Sequence, residues 1–180
     1  FKFNEQTGTL TPNQPYAILP ANKEGPRHFC FHPNQDVLFT SNEQGSSVTV
    51  YDFDVSNGFI RSKQTISTLP KDYHEDNSCS QIQITPSGKF LYAPNRGHNS
   101  IAGFSVNHSD GSIEPIGHTS TEKIPRAFTI DPSGTFLFAA GLESGFIACY
   151  RIDEKDGSLI PLYTSEVGAG PMWVLITPSK

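Results

Sequence analysis

A repeat of 46 to 53 residues, short apolar strands bounded by turn dipeptides, and the lack of any sustained helical period together predict an all-β chain. Repeats of that length built from short strands mark β-propeller blades. The expected architecture is three complete four-stranded blades, over 25–68, 76–121 and 124–167, flanked by partial blades over 1–22 and 171–180.

Four prolines set the frame: Pro33, Pro86, Pro132 and Pro178 lie 53, 46 and 46 residues apart. They stand in CFHPNQDVLFTSNE, QITPSGKFLYAPNR, TIDPSGTFLFAAGL and LITPSK. Before each of the first three runs a short apolar strand a: His28–His32, Gln81–Thr85 and Ala127–Asp131. The turns PNQD, PSGK and PSGT supply Pro, Asn, Ser and Gly where tight turns need them. Strand b follows as VLFTSN, FLYAPN or FLFAAG, and strand c as SVTVYDFD, SIAGFSVN or FIACYRID. Asn57-Gly58, Asp110-Gly111 and Asp156-Gly157 then open strand d, as hairpin dipeptides do. At the ends, FKFNEQTGTLTPNQPYAI carries only strands c and d, and 171–180 only strand a. Such half-blades leave apolar faces bare, so the chain is expected to be a fragment of a longer one.

Composition narrows the function classes. With 13 Lys+Arg against 18 Asp+Glu the net charge is -5, and no basic cluster appears, which argues against nucleic-acid binding. No apolar run approaches the roughly 20 residues of a membrane helix, so no membrane partner is expected. Cys30, Cys79 and Cys149 lie far apart without a CxxC pair and read as buried free thiols, which points to a cytoplasmic location.

Up-and-down strand order puts the d-to-a connections and b-to-c loops on one face, around the channel mouth, where blades can converge on a ligand. Six residues before the marker prolines stand Arg27, Ser80, Arg126 and Met172; ten after the first three stand Glu43, Arg96 and Leu142. A blade folds with Ser, Met or Leu at these places, so the fold does not require charge there. Arg27, Arg96, Arg126 and Glu43 are therefore the candidate site, with inter-blade ion pairing as the competing role. His28 follows Arg27 and, because neighbouring strand residues point oppositely, reaches the same ligand only if Arg27 lies in the loop. It is either a buried, hydrogen-bonded histidine or a ligand and proton shuttle. His74 and His98 are expected to be solvated; His32, His108 and His118 map to the far side or the outer strand, and Trp173 to packing.

At GPRHFCFHPN (25–34), SNEQGSSVTVYDF (41–53), IQITPSGKFLYAPNR (82–96), IPRAFTIDPSGTFLFAAG (124–141) and GAGPMWVLITP (168–178), the chain resembles the seven-bladed propeller lactonases typified by bacterial 6-phosphogluconolactonase. The likeness implies a seven-bladed propeller of which this is the C-terminal part, with roughly three N-terminal blades of the same chain missing. It implies hydrolysis of a phosphorylated sugar lactone within the pentose phosphate pathway. It carries the site onto Arg27, His28, Glu43, Arg96 and Arg126. Glu43, the lone carboxylate, is the candidate base; Arg96 or Arg126 would stabilise the oxyanion. Arg27 with a second arginine, and His28, would bind the substrate, since guanidinium suits phosphate. The same motifs occur in carboxy-cis,cis-muconate cyclases, so a lactone-forming isomerase is an alternative, as is a non-catalytic propeller binding a small anion or a protein. Asn42, Glu43 and Asn95 are oxygen ligands of the type calcium takes, but one carboxylate among three arginines is a poor cage. No metal or cofactor is expected.

Overall fold

The computed structural model describes residues 1–20 and 22–177. Its strands run β1 (Lys2–Asn4), β2 (Thr9–Thr11), β3 (Pro26–Phe31), β4 (Val37–Asn42), β5 (Ser47–Asp54), β6 (Phe59–Ser67), β7 (Gln83–Ile84), β8 (Phe90–Asn95), β9 (Ser100–Val106), β10 (Ile113–Ser120), β11 (Pro125–Ile130), β12 (Phe136–Gly141), β13 (Phe146–Ile152) and β14 (Leu159–Glu166). They form a β1–β2 hairpin and three antiparallel meanders, β3-β4-β5-β6, β7-β8-β9-β10 and β11-β12-β13-β14, in a propeller-like arrangement. Residues 171–177, where the repeat predicts an opening strand, have no ladder partner among the described residues, and Pro178, Ser179 and Lys180 lie outside them.

Strand b is buried from end to end in the first two blades, because it is central in its sheet and both faces of the sheet are covered. Side chains alternate across β8: Leu91 and Ala93 pack with Val37, Phe39, Val48 and Val50 of the first blade. Phe90 and Tyr92 turn the other way, against Phe128, Leu137 and Ala139 of the third. Each blade is thus glued to its neighbour by two layers of apolar side chains. Polar ties reinforce the seams: Gln81 accepts from Phe128 N at 2.8 Å, Gln83 bonds Phe128 O and Ile130 N at 3.0 Å each, and Tyr92 OH donates to Gly157 O at 2.7 Å.

One repeat place closes every a-to-b turn. His32 Nδ1 accepts from Asn34 N (3.0 Å), Thr85 Oγ1 from Phe90 N (3.2 Å), and Asp131 Oδ1 from Thr135 N and Phe136 N (2.8 and 2.7 Å). His32 also bridges the seam, its Nε2 lying 3.1 Å from Gly88 O. All three cysteines are free; Cys79 and Cys149 are buried and Cys30 is half-buried. Burial pushes the Cys30 thiol up to about 12 and the Cys79 thiol up to about 11, so both are poor nucleophiles.

Candidate active site

Two local devices bring the charged residues together. The first is a one-residue bulge at the start of each strand a. In β3 the pairing shifts between Pro26↔Asn42 and His28↔Ser41, leaving Arg27 as the extra residue. In β11 it shifts between Pro125↔Gly141 and Ala127↔Ala140, leaving Arg126. The same offset separates Cys79↔Asn95 from Gln83↔Tyr92 in the middle blade. Bulges break the strict alternation and re-aim a side chain. Arg27 is therefore inside the strand, not in the loop, and the bulge removes the conflict with His28 that simple alternation imposes.

The second device anchors each b-to-c turn. Glu43 N donates to Gly25 O, Arg96 N to Ser78 O and Leu142 N to Ile124 O, at 2.8, 2.9 and 2.9 Å. These are equivalent places in the three blades, so one backbone bond sets where each turn residue starts. Gly25 (φ 63°) and Ile124 (φ 57°) take left-handed backbone at this place while Ser78 does not, and for a β-branched residue that conformation is strained.

Glu43 sits between two arginines. Arg96 Nη2 donates to its Oε1, and Arg27 Nε stands 3.4 Å from its Oε2. Arg96 Nη2 also donates to Cys79 O at 2.9 Å. The Arg27 and Arg96 side chains are 19% and 12% exposed and that of Glu43 31%, so the cluster is largely but not fully dried. Arg27 Nη1 and Arg96 Nε are buried without a hydrogen-bond partner. Arg126 adds a third positive charge felt by both Arg27 and Glu43 and takes part in no ion pair among the described residues. The Arg96 hydrogen bond, together with the charges of Arg96, Arg27 and Arg126, outweighs the cost of burial and holds the Glu43 carboxyl below the usual carboxylate range.

His28 is half-buried and its ring makes no hydrogen bond among the described residues. Burial first, then the charge of Arg27, lowers its pKa below the ordinary imidazole value, partly offset by Glu43. It shares a strand side with Cys30 and His32, which both meet the middle blade.

Other expectations change. His98 is not simply solvated: its Nδ1 lies 2.7 Å from Ser100 Oγ, with its ring edge-on to Tyr73 (4.7 Å) and His118 (5.9 Å). His118 stands on the outer strand as expected, with Nε2 2.9 Å from Thr68 O. His74 is exposed. Trp173 is 66% exposed rather than packed, because residues 171–177 have no partner strand. Asn42 and Asn95 are fully buried and their amides are spent inside the turns, on Ser47 and Thr49 and on Thr68 and Ser100. Asn77, outside the two frame places that single out the charged residues, ties two turns together with its amide; nine residues before Pro86, it shares a frame place with Glu24 and Lys123, which also touch b-to-c turns.

The profile of a family described as "Lactonase, 7-bladed beta-propeller" matches residues 1–176. The chain belongs to the seven-bladed β-propeller lactonases. Among curated relatives, the 6-phosphogluconolactonase of Yersinia enterocolitica is 40% identical over 94% of this chain and that of Pectobacterium carotovorum 38% over 94%. The chain spans about half the length of these relatives, 51% of each. Among solved structures, the periplasmic gluconolactonase of Pseudomonas aeruginosa superposes with TM-score 0.85 at 25% identity, over 92% of this chain and 47% of that one. A Lactobacillus plantarum protein superposes with TM-score 0.83 at 29% identity, over 87% and 46%.

Proposed function

We propose that the longer protein containing this lactonase chain hydrolyses 6-phosphogluconolactone to 6-phosphogluconate, in the pentose phosphate pathway. The observation that carries the reading is the Arg27–Glu43–Arg96 cluster with unpaired Arg126 beside it. It is supported by family membership and by the names of relatives near 40% identity. Arg126, without an ion-pair partner among the described residues, keeps guanidinium donors that suit a phosphate, which binds by paired N–H donors.

Hydrolysis adds water across the acyl C–O bond. His28, neutral because burial and Arg27 disfavour its charged form, takes a proton from the attacking water. The new C–O bond turns the carbonyl oxygen into an oxyanion, which an arginine of the cluster stabilises. As the ring C–O bond breaks, the imidazolium returns its proton to the departing alkoxide, leaving a carboxylic acid that ionises. Glu43, with both oxygens on arginines, orients Arg27 and Arg96 in this scheme rather than serving as the base. The three free thiols support a reducing, cytoplasmic setting.

Acid release from 6-phosphogluconolactone by the full-length protein, corrected for spontaneous opening, tests the proposal. The expected result is saturable release well above the spontaneous rate. Release at the spontaneous rate overturns it; lactone formation from a carboxy-muconate would favour the cyclase alternative, since three arginines also suit a dicarboxylate, and binding of 6-phosphogluconate without turnover a non-catalytic propeller.

A further inference from the structure

We propose that Asn77 is the positioning residue that holds the Glu43 turn and the Arg96 turn in register across the seam between the first two blades. Its Oδ1 accepts from Gly97 N at 2.9 Å and His98 N at 3.1 Å, the two amides that follow Arg96. Its Nδ2 donates to Ser46 Oγ at 2.9 Å, in the turn that begins with Glu43, and to the buried Asn95 Oδ1 at 3.1 Å, just before Arg96. One amide thus ties together the turns that carry Glu43 and Arg96, from two different blades.

The surroundings are built for this grip. Gly97 lets the Arg96 turn lie against the 68–79 connection, since a Cβ there would fall 2.0 Å from Asp76 O. Thr68 Oγ1 lies 2.9 Å from Ser46 O and 2.7 Å from Asn95 Oδ1, its one hydroxyl proton serving either acceptor, which closes the network beneath Asn77. Two residues on, Cys79 N donates to Glu43 O at 3.1 Å while Cys79 O accepts from Arg96. The places equivalent to Cys79 are Pro26, Pro125 and Pro171, which have no N–H to give. Only the connection running through Asn77 can tie a preceding turn in this way, and it is the one that joins Glu43 to Arg96. At the frame place of Asn77, Glu24 bonds Ser47 Oγ and Lys123 pairs with Glu143, each reaching only its own blade's turn. Among the described residues, Asn77 is seen to bond the b-to-c turns of two blades, whereas Lys123 at the same frame place pairs within its own.

The inference rests on the proposed lactone hydrolysis for its kinetic consequence, not for its geometry. In the full-length protein, Asn77→Ala removes both arms, and Asn77→Asp keeps the acceptor arm while losing both donors, giving a second variant with a different loss. The expected results are a fall in kcat/KM on 6-phosphogluconolactone on the order of tenfold in each folded variant, and a rise of the Glu43 carboxyl pKa toward its ordinary value, read by carbon-13 NMR. Asn107→Ala strips an equivalent side-chain turn bond on the opposite face and is expected to leave both readouts unchanged. A lower Tm with unchanged Glu43 pKa and normal kcat/KM per folded molecule would overturn the positioning role. Absence of turnover in the wild type would instead sink the lactonase proposal, and the Glu43 pKa would still decide for or against Asn77.

Discussion

With Arg96 and Arg27 on its two oxygens, Glu43 stays ionised at pH values where a free carboxylate starts to protonate, and each proton it takes must first displace a guanidinium. His28 has no such ties, and burial keeps it neutral to lower pH than a free imidazole. The two roles separate in a pH–rate profile. If His28 is the base, kcat falls as pH drops through its pKa, giving an acid limb below about pH 6.5. Glu43→Gln should keep that limb while lowering kcat/KM by about 10–10²-fold, since two buried arginines lose their counter-charge. His28→Gln should abolish the limb along with most turnover. A limb that vanishes in Glu43→Gln and survives in His28→Gln would reverse the assignment. Arg126 sits in a bulge two residues after Ile124, whose left-handed backbone is strained.

Each blade is pinned at its far end by the residue just before the marker proline, and Asp131 shows how much one side chain does. Its Oδ1 holds Thr135 N and Phe136 N, and its Oδ2 holds Ser133 N at 3.0 Å. Burial alone would raise its pKa, but these bonds outweigh it and hold the carboxyl below its ordinary value. A depressed carboxyl pKa stabilises the fold above the unfolded value and loses that contribution as pH falls through the folded one. Asp131→Ala should therefore cost roughly 1–3 kcal/mol at neutral pH, with the Tm gap to wild type closing below about pH 4. A gap that does not narrow at all as pH falls below that point would mean the turn depends on shape rather than on the ionised acceptor. The middle blade makes the corresponding turn with uncharged Thr85 and serves as the internal contrast.

At the scale of the molecule, apolar area is uncovered at both ends. Phe3, Leu10, Phe29 and Phe31 are exposed on one side, Phe29 at 63%, and Leu162, Tyr163, Met172 and Trp173 on the other. Patches of that kind mark surfaces that meet other protein. In a seven-bladed protein, further blades would lie against both. Residues 1–180 expressed alone should self-associate in sedimentation and show no lactonase turnover, whereas the full-length protein should be well dispersed and active. A monodisperse 180-residue chain that melts cooperatively would refute this.

Period-two alternation, turn dipeptides and the proline frame are local signals, and from them the all-β class and the meander order could be read directly in the sequence. The same frame singled out Arg27, Glu43, Arg96 and Arg126, because repeats expose which places the fold leaves free to carry charge. Three things were decided only in three dimensions. Alternation placed Arg27 and His28 on opposite sides, but a bulge depends on pairing with strand b and is invisible along one strand. Glu43 and Arg96 belong to different blades, and only the seam, closed by apolar layers from both sheets, brings a carboxylate and a guanidinium 53 residues apart into contact. Asn77 carries no charge and stands in a polar loop, so nothing local distinguishes it from a solvated asparagine. Its role follows from where two turns meet, which is a property of packing between blades rather than of any segment's sequence.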